Sequence, residues 1–257
     1  MGRVIFIGAG PGAADLITVR GAQRLASADV VLFDALTDPA LRVYAPKAAW
    51  IDVGKRGFAP ATAQSHIDAL LVQLAQDHAV VVRLKGGDPS LFGRLEEELL
   101  ALQTAGIDCE VIPGVTAALA AAAGARRPLT RRGRGRSVSL TTAVTRDGAW
   151  CGGLHADTEV FYLAGRQLAG LGRRLQAGGW AADAPVCVVS RAGWPDELRS
   201  DHALCDLGQA ALLHGGRPTV VTVGVGARPL PAPVPATAPG VAPAHKALRL
   251  EKAQASV

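Results

Sequence analysis

The stretch Val81–Arg94, VVRLKGGDPSLFGR, decides how this chain reads. The apolar run Val80–Val82 opens a strand that ends in Gly86-Gly87-Asp88-Pro89, and a helical pattern follows from Ser90 to Gly106, a suitable C′ glycine. Glycines without Cβ let a ligand lie against bare backbone, and Asp88 can accept hydrogen bonds or attract a cation. Pro89 fixes the exit into the helix. A plain strand-to-helix turn would explain the same residues, so the stretch gains meaning from a second one like it.

That second stretch is Val4–Asp15, VIFIGAGPGAAD. A strand, Val4–Ile7, runs into a glycine-rich turn, and a helical segment is expected from about Asp15 to Ala26. Gly8-x-Gly10-x-x-Ala13 fits the dinucleotide pattern, and Asp34, at the end of the apolar run Val30–Phe33, sits where a ribose partner would. Against this, Pro11 removes a backbone N–H from the turn, and Asp15 puts negative charge near the helix start, where a phosphate would dock. The turn therefore fits a dinucleotide, a flat or cationic ligand, or no ligand. In an open α/β sheet both turns would lie at the carboxyl ends of strands, the usual ligand edge.

Outward from these turns, strands and helices alternate. Cys109–Gly114 reads as a further strand, and the segment TAQSHIDALLVQLAQD places Ile67, Leu70, Leu71 and Leu74 at helical spacing with Thr62 as its N-cap. After the arginine-rich stretch Arg126–Arg136, strands are expected at Val138–Thr142, Glu159–Leu163, Val186–Val189 and Thr219–Val225, with a short hairpin at Glu197–Leu207. The fold class is α/β in two lobes, each a mostly parallel sheet flanked by helices, with the ligand cleft between them. The expected divisions are residues 1–114, residues 115–227 and a Pro/Ala-rich disordered tail, residues 228–257.

Composition narrows the function. The chain has 257 residues, 49% hydrophobic, ample for a buried core, and a net charge of +5 that only weakly favours acidic partners. Aromatic residues at 4% are too few for the stacking platforms of single-stranded nucleic-acid binders. Cys109, Cys151, Cys187 and Cys205 form no C-x-x-C pair, which argues against a zinc or iron–sulfur site and for reduced thiols. No metal is expected. The run Val111–Ala125 is too short to span a bilayer, and the first strand begins at Val4, so a cytoplasmic, non-membrane protein is expected.

The segments GAGPGAADLITVRGAQRLASADVVLFDAL, VGKR, VRLKGGDP and IPGVTAALAAAA, in that order and spacing, closely resemble the uroporphyrinogen-III C-methyltransferases of the tetrapyrrole methylase family. The resemblance implies S-adenosylmethionine as methyl donor, bound between the lobes, and S-adenosylhomocysteine as product. It implies that Pro11, Gly86, Gly87, Asp88, Leu91, Thr116, Ala117, Leu163 and Ala192 contact the donor. It places the acid/base roles on Asp34 and Lys55, and it implies a homodimer. The activity implied is methylation of uroporphyrinogen III at C2 and C7 to give precorrin-2, on a route to sirohaem or cobalamin.

The chemistry suits these residue types. A carbon nucleophile needs in-line positioning toward the methyl donor, and a carboxylate such as Asp34 can take the proton the macrocycle later loses. RRPLTRRGRGR, residues 126–136, supplies arginine forks suited to substrate carboxylates, with Arg131 and Arg132 at its centre. A solvated loop or an RNA-binding patch would use the same residues. The family usually shows PLTHRD where this chain has PLTRRG, and GDPFIFGRGGEE where it has GDPSLFGRLEEE. A methylase of a later corrin precursor, and an RNA ribose methyltransferase of similar fold, are the alternatives; no nucleic-acid partner is expected.

Overall fold

A computed structural model describes residues 2–54, 64–143 and 156–231. Lys55, Thr62, Cys151 and the tail beyond residue 231 lie outside the described residues. The first sheet is all parallel, in the order β3-β2-β4-β1-β5, built from β1 (Arg3–Gly8), β2 (Val30–Phe33), β3 (Ala49–Asp52), β4 (Val80–Lys85) and β5 (Cys109–Ile112). Its strands are nearly all apolar because both faces are covered. Val4, Phe6, Val30, Leu32 and Val81 pack toward α2 (Gln64–Asp77) and α3 (Leu95–Thr104). Ile5, Ile7, Val31, Val82 and Leu84 face the other way, against Leu25 of α1 (Val19–Leu25) and Leu41. Each such side chain, fully buried, contributes about 1.5–3 kcal/mol.

The helix starts differ from those read in the sequence. A short 3₁₀ turn, Ala14–Leu16, precedes α1, which begins at Val19 because the Thr18 hydroxyl accepts from Gly21 N at 3.0 Å. α3 begins at Leu95, not Ser90: Phe92 and Arg94 both hold φ of 55°, which no helix accommodates. Its end is as expected. Gly106 takes φ of 68°, its N–H reaches Gln103 O, and Ile107 N–H reaches Leu102 O, the two bonds of a Schellman cap.

α4 (Ala117–Ala125) leads into the second sheet, ordered β6-β7-β10-β8-β9 from β6 (Val138–Thr142), β7 (Thr158–Tyr162), β8 (Pro185–Ser190), β9 (Leu198–Ala203) and β10 (Thr219–Gly224). Here the expectation of a mostly parallel sheet is corrected. Only β6 and β7 run parallel; β7–β10, β10–β8 and β8–β9 are antiparallel. Residues 191–197 are too few for the crossover that parallel β8 and β9 would need. β7, β8 and β10 are buried on both faces, so their apolar runs resembled parallel strands. The hairpin expected at Glu197–Leu207 is instead β9 followed by a 3₁₀ helix, Leu204–Ala210, whose Leu204, Leu207 and Ala210 repeat every third residue against α5 (Leu168–Ala177).

A polar chain runs through this lobe beside α6 (Ala211–His214). Thr219 Oγ1 gives its hydrogen to Arg217 O at 2.8 Å, so it accepts from Ser190 Oγ, also at 2.8 Å. Ser190 in turn accepts from His214 Nδ1–H at 2.6 Å, which leaves neutral His214 Nε2 to accept from Ser200 Oγ at 2.8 Å. The tautomer of a fully buried histidine is thereby set by one backbone carbonyl.

Candidate active site

The two glycine-rich turns follow β1 and β4, which are neighbours in the sheet. They are zipped together: Gly87 N donates to Gly10 O at 2.7 Å and Ala9 N to Lys85 O at 2.8 Å. Gly8 packs on Gly114 so closely that a Cβ on either would overlap the other's backbone. Asp88 ties the assembly down, accepting from Ser90 N at 2.8 Å through Oδ1 and from Gly114 N at 2.9 Å through Oδ2. By contrast, a Cβ at Gly86 would touch only Leu36 Cβ at 3.5 Å, and one at Gly87 only Val115 O at 4.0 Å. Their bare backbone forms a cradle that side chains would fill.

This cradle opens into a cavity of about 860 Å³ between the two sheets. Pro11, Asp34, Gly86, Gly87, Asp88, Leu91, Thr116, Ala117, Leu163 and Ala192 all line it. Thr116, at the N-cap of α4, reaches Tyr162 OH at 2.6 Å, tying α4 to the end of β7 at the cavity wall; burial pushes the Tyr162 phenol above its ordinary pKa. The first turn also latches onto the loop after β8: Ala13 N donates to Gly193 O at 2.8 Å and Trp194 Nε1 to Pro11 O at 3.1 Å.

Arg131 and Arg132 do not line the cavity. Their loop lies at the starting ends of β6 and β7, where Asp157 accepts from Arg136 N and Ser137 N, whereas the cavity meets β7 at its finish, Tyr162 and Leu163. The Arg131 guanidinium donates to the carbonyls of Arg228 and Pro229, and Arg132 is exposed. Arg127 pairs with Asp201 and Ala227 O.

Two features of the cavity wall were not read from the sequence. Five non-glycine residues have positive φ among the described residues, and four of them, Phe92, Arg94, Leu163 and Arg191, line the cavity. Each costs about 1–2 kcal/mol, and such strain gathers where side chains must be aimed at a ligand. The second is a buried charge cluster. Arg83 donates to Asp34 Oδ1 at 2.7 Å and to Glu98 Oε1 at 2.9 Å, and Lys85 donates to Glu98 Oε2 at 2.6 Å. Burial opposes the Arg83 charge, but Asp34 and Glu98 outweigh it and raise its pKa. Burial pushes the Lys85 ammonium below its ordinary pKa, Arg83 adds to that push, and Glu98 opposes it. The signal was present in β4 itself: Arg83 and Lys85 alternate within an otherwise apolar strand, so both had to face one buried partner.

Two glycine-turn strand ends facing a second sheet across one cavity define a two-lobed α/β protein with an inter-lobe ligand cleft. The chain belongs to the Tetrapyrrole (Corrin/Porphyrin) Methylases, whose sequence profile matches residues 3–207. It is 40% identical over 231 residues to a uroporphyrinogen-III C-methyltransferase of Pseudomonas aeruginosa, covering 87% of this chain and 93% of that protein. Its fold matches a uroporphyrin-III C-methyl transferase from Thermus thermophilus, complexed with S-adenosyl homocysteine, with a TM-score of 0.75 and 33% identity over 87% of this chain and 97% of that one. A cobalt precorrin-4 methyltransferase, a cobalamin biosynthetic enzyme, matches with a TM-score of 0.75 and 31% identity over 88% of this chain and 96% of that one. Among the described residues, no helix is long and apolar enough to cross a membrane.

Proposed function

We propose that this chain transfers methyl groups from S-adenosylmethionine to C2 and C7 of uroporphyrinogen III, giving precorrin-2 and S-adenosylhomocysteine. The observation that carries this reading is the convergence of the Gly86–Gly87 cradle, Pro11 and Asp34 on one inter-lobe cavity of about 860 Å³. The donor fits these residues: Leu91, Ala117 and Ala192 give its adenine ring an apolar wall, and the bare backbone at Gly86 and Gly87 leaves room for its ribose and charged amino-acid part to lie close. The donor brings an electrophilic methyl on a sulfonium; everything else is positioning and proton removal by the protein.

Asp34 is the base in this reading. Its Oδ1 is held by Arg83, and Oδ2 has no hydrogen-bond partner among the described residues, leaving that oxygen for a proton. Asp88 and Thr116 hold the loops around the donor, and Lys55 supplies the second acid/base group. Leu36, Phe92 and Leu163 expose apolar side chains at the cavity and suit the pyrrole rings of the macrocycle, while Arg94 and Arg191, held by Glu97 and Asp196, keep further N–H donors at the same wall for its carboxylates. The reading includes division into lobes at residues 1–114 and 115–227, a cytoplasmic location and a homodimer. Arg131 and Arg132 contact substrate in it only where the second copy carries their loop to the cavity.

A methylase of a later corrin precursor is the second reading, favoured by the equal TM-score of the precorrin-4 enzyme. Mass analysis after incubation with uroporphyrinogen III and S-adenosylmethionine separates the two. Addition of two methyl groups supports the proposal, and an unaltered tetrapyrrole refutes it.

A further inference from the structure

The end of β4 carries two cations on one face of the sheet. Val81, Arg83 and Lys85 alternate toward the α2–α3 layer, and Arg83 and Lys85 are each only 2% exposed. Burying cations there is costly unless each is paired. Glu98, on α3 and 0% exposed, meets both, with one carboxylate oxygen for each. Gln64 adds a longer contact to the same Oε1 at 3.4 Å.

The direction of the Arg83 fork matters more than its charge. A guanidinium is planar, so fixing Nε fixes where the Nη atoms point. Glu98 takes Nε, Leu84 O takes Nη1 at 3.3 Å, and Nη2 is left aimed at Asp34 Oδ1 at 2.7 Å. Asp34 itself lies just past the end of β2, with a side chain 32% exposed and no other side-chain partner among the described residues. An aspartate with one anchor is only as well oriented as that anchor.

We propose that Glu98 is a positioning residue for methyl transfer: clamped behind Arg83, it holds the Asp34 carboxylate in one orientation at the cavity. Lys85 balances the second oxygen, so that two anions and two cations close into a neutral cluster. The inference rests on the reading of Asp34 as the base. It assigns a role to a residue one helix away from the substrate, which touches neither substrate nor donor.

A double-mutant cycle between Glu98→Gln and Asp34→Asn tests it. Glu98→Gln keeps the side chain's shape but replaces one acceptor with a donor that faces Arg83 or Lys85. Expected are a fall in kcat of about tenfold or more and an S-adenosylhomocysteine thermal shift equal to wild type. In the Asp34→Asn background the same change should cost nothing further. The cycle is repeated in a Lys85→Met background, where loss of Glu98's charge leaves Arg83 paired with Asp34 and the cluster neutral. Tm is measured for every variant so that a loss of kcat is scored only in folded protein, the Asp34→Asn corner with its unpaired Arg83 included. Equal losses in both Asp34 backgrounds, in either cycle, overturn the role of Glu98 while leaving Asp34 as the base. An Asp34→Asn enzyme with wild-type kcat removes the base assignment, and this inference with it.

Discussion

Replacing Gly86 with valine separates ligand binding from folding. Gly86 is not among the positive-φ glycines, and a Cβ there meets only Leu36 Cβ at 3.5 Å, so the fold should lose no more than about 0.5 kcal/mol. The added methyls project into the cradle on which the donor is proposed to lie. Wild-type protein with S-adenosylhomocysteine at about a hundred times Kd gains about 2.7 kcal/mol. At about 2–4 °C per kcal/mol for a chain of this size, Tm should rise by about 5–11 °C. If Gly86→Val weakens binding about a hundredfold, the gain at the same concentration falls to about 0.4 kcal/mol, close to no shift. Differential scanning fluorimetry with and without ligand reads both terms. Gly8→Ala is the contrast, since its Cβ would overlap Gly114 and should destabilise the fold itself. NAD should shift neither protein. A Gly86→Val variant that keeps the full S-adenosylhomocysteine shift would refute the placement of the donor on this cradle.

Other outcomes follow from the same geometry. Asp34→Asn should lower kcat about a hundredfold and leave the S-adenosylhomocysteine shift intact; unchanged kcat returns Asp34 to a loop-capping role. Arg94→Ala and Arg191→Ala should raise KM for uroporphyrinogen more than they lower kcat, whereas Arg132→Ala should raise it only at protein concentrations where a dimer forms; steady-state kinetics across a dilution series checks both. His214 has a pKa lowered from 6.5, chiefly by burial, with His202 and Arg217 adding to it, so the unfolded chain binds its proton first. Its contribution to stability is therefore present above about pH 6.5 and lost as pH falls toward the lowered value, and a His214→Gln variant should show a flatter decline in Tm on the acid side.

Much of the first lobe was legible because its strands are covered on both faces, and glycine marks where the chain turns. Val4–Ile7, Val30–Phe33 and the end at Gly106 required no long-range information. The start of α3 was not legible: Phe92 and Arg94 adopt the left-handed region without the glycine or asparagine that usually signals it. Strand direction in the second lobe was hidden for a different reason. A strand buried on both faces has the same composition whichever way its neighbours run. The site divided similarly. Residues on the two turns could be named from the resemblance, and those within the described residues line one cavity. Glu98 could not, since nothing in LEEE says which glutamate turns inward until α3 is laid against β4. Arg131 and Arg132 were singled out by charge density alone, and charge density does not say at which end of a sheet a loop emerges.

The latch between the Pro11–Ala13 turn and the Gly193–Trp194 loop has a kinetic consequence. A Cβ on Gly12 would overlap Gly193 and Trp194, so the two loops interlock as well as bond. The lobes cannot hinge apart without releasing Ala13 N–H from Gly193 O. That single amide is therefore a gauge of opening. Its hydrogen-exchange rate counts how often the cleft yawns wide enough to break the latch, and a bulky macrocycle that enters from the side would leave that clock unchanged.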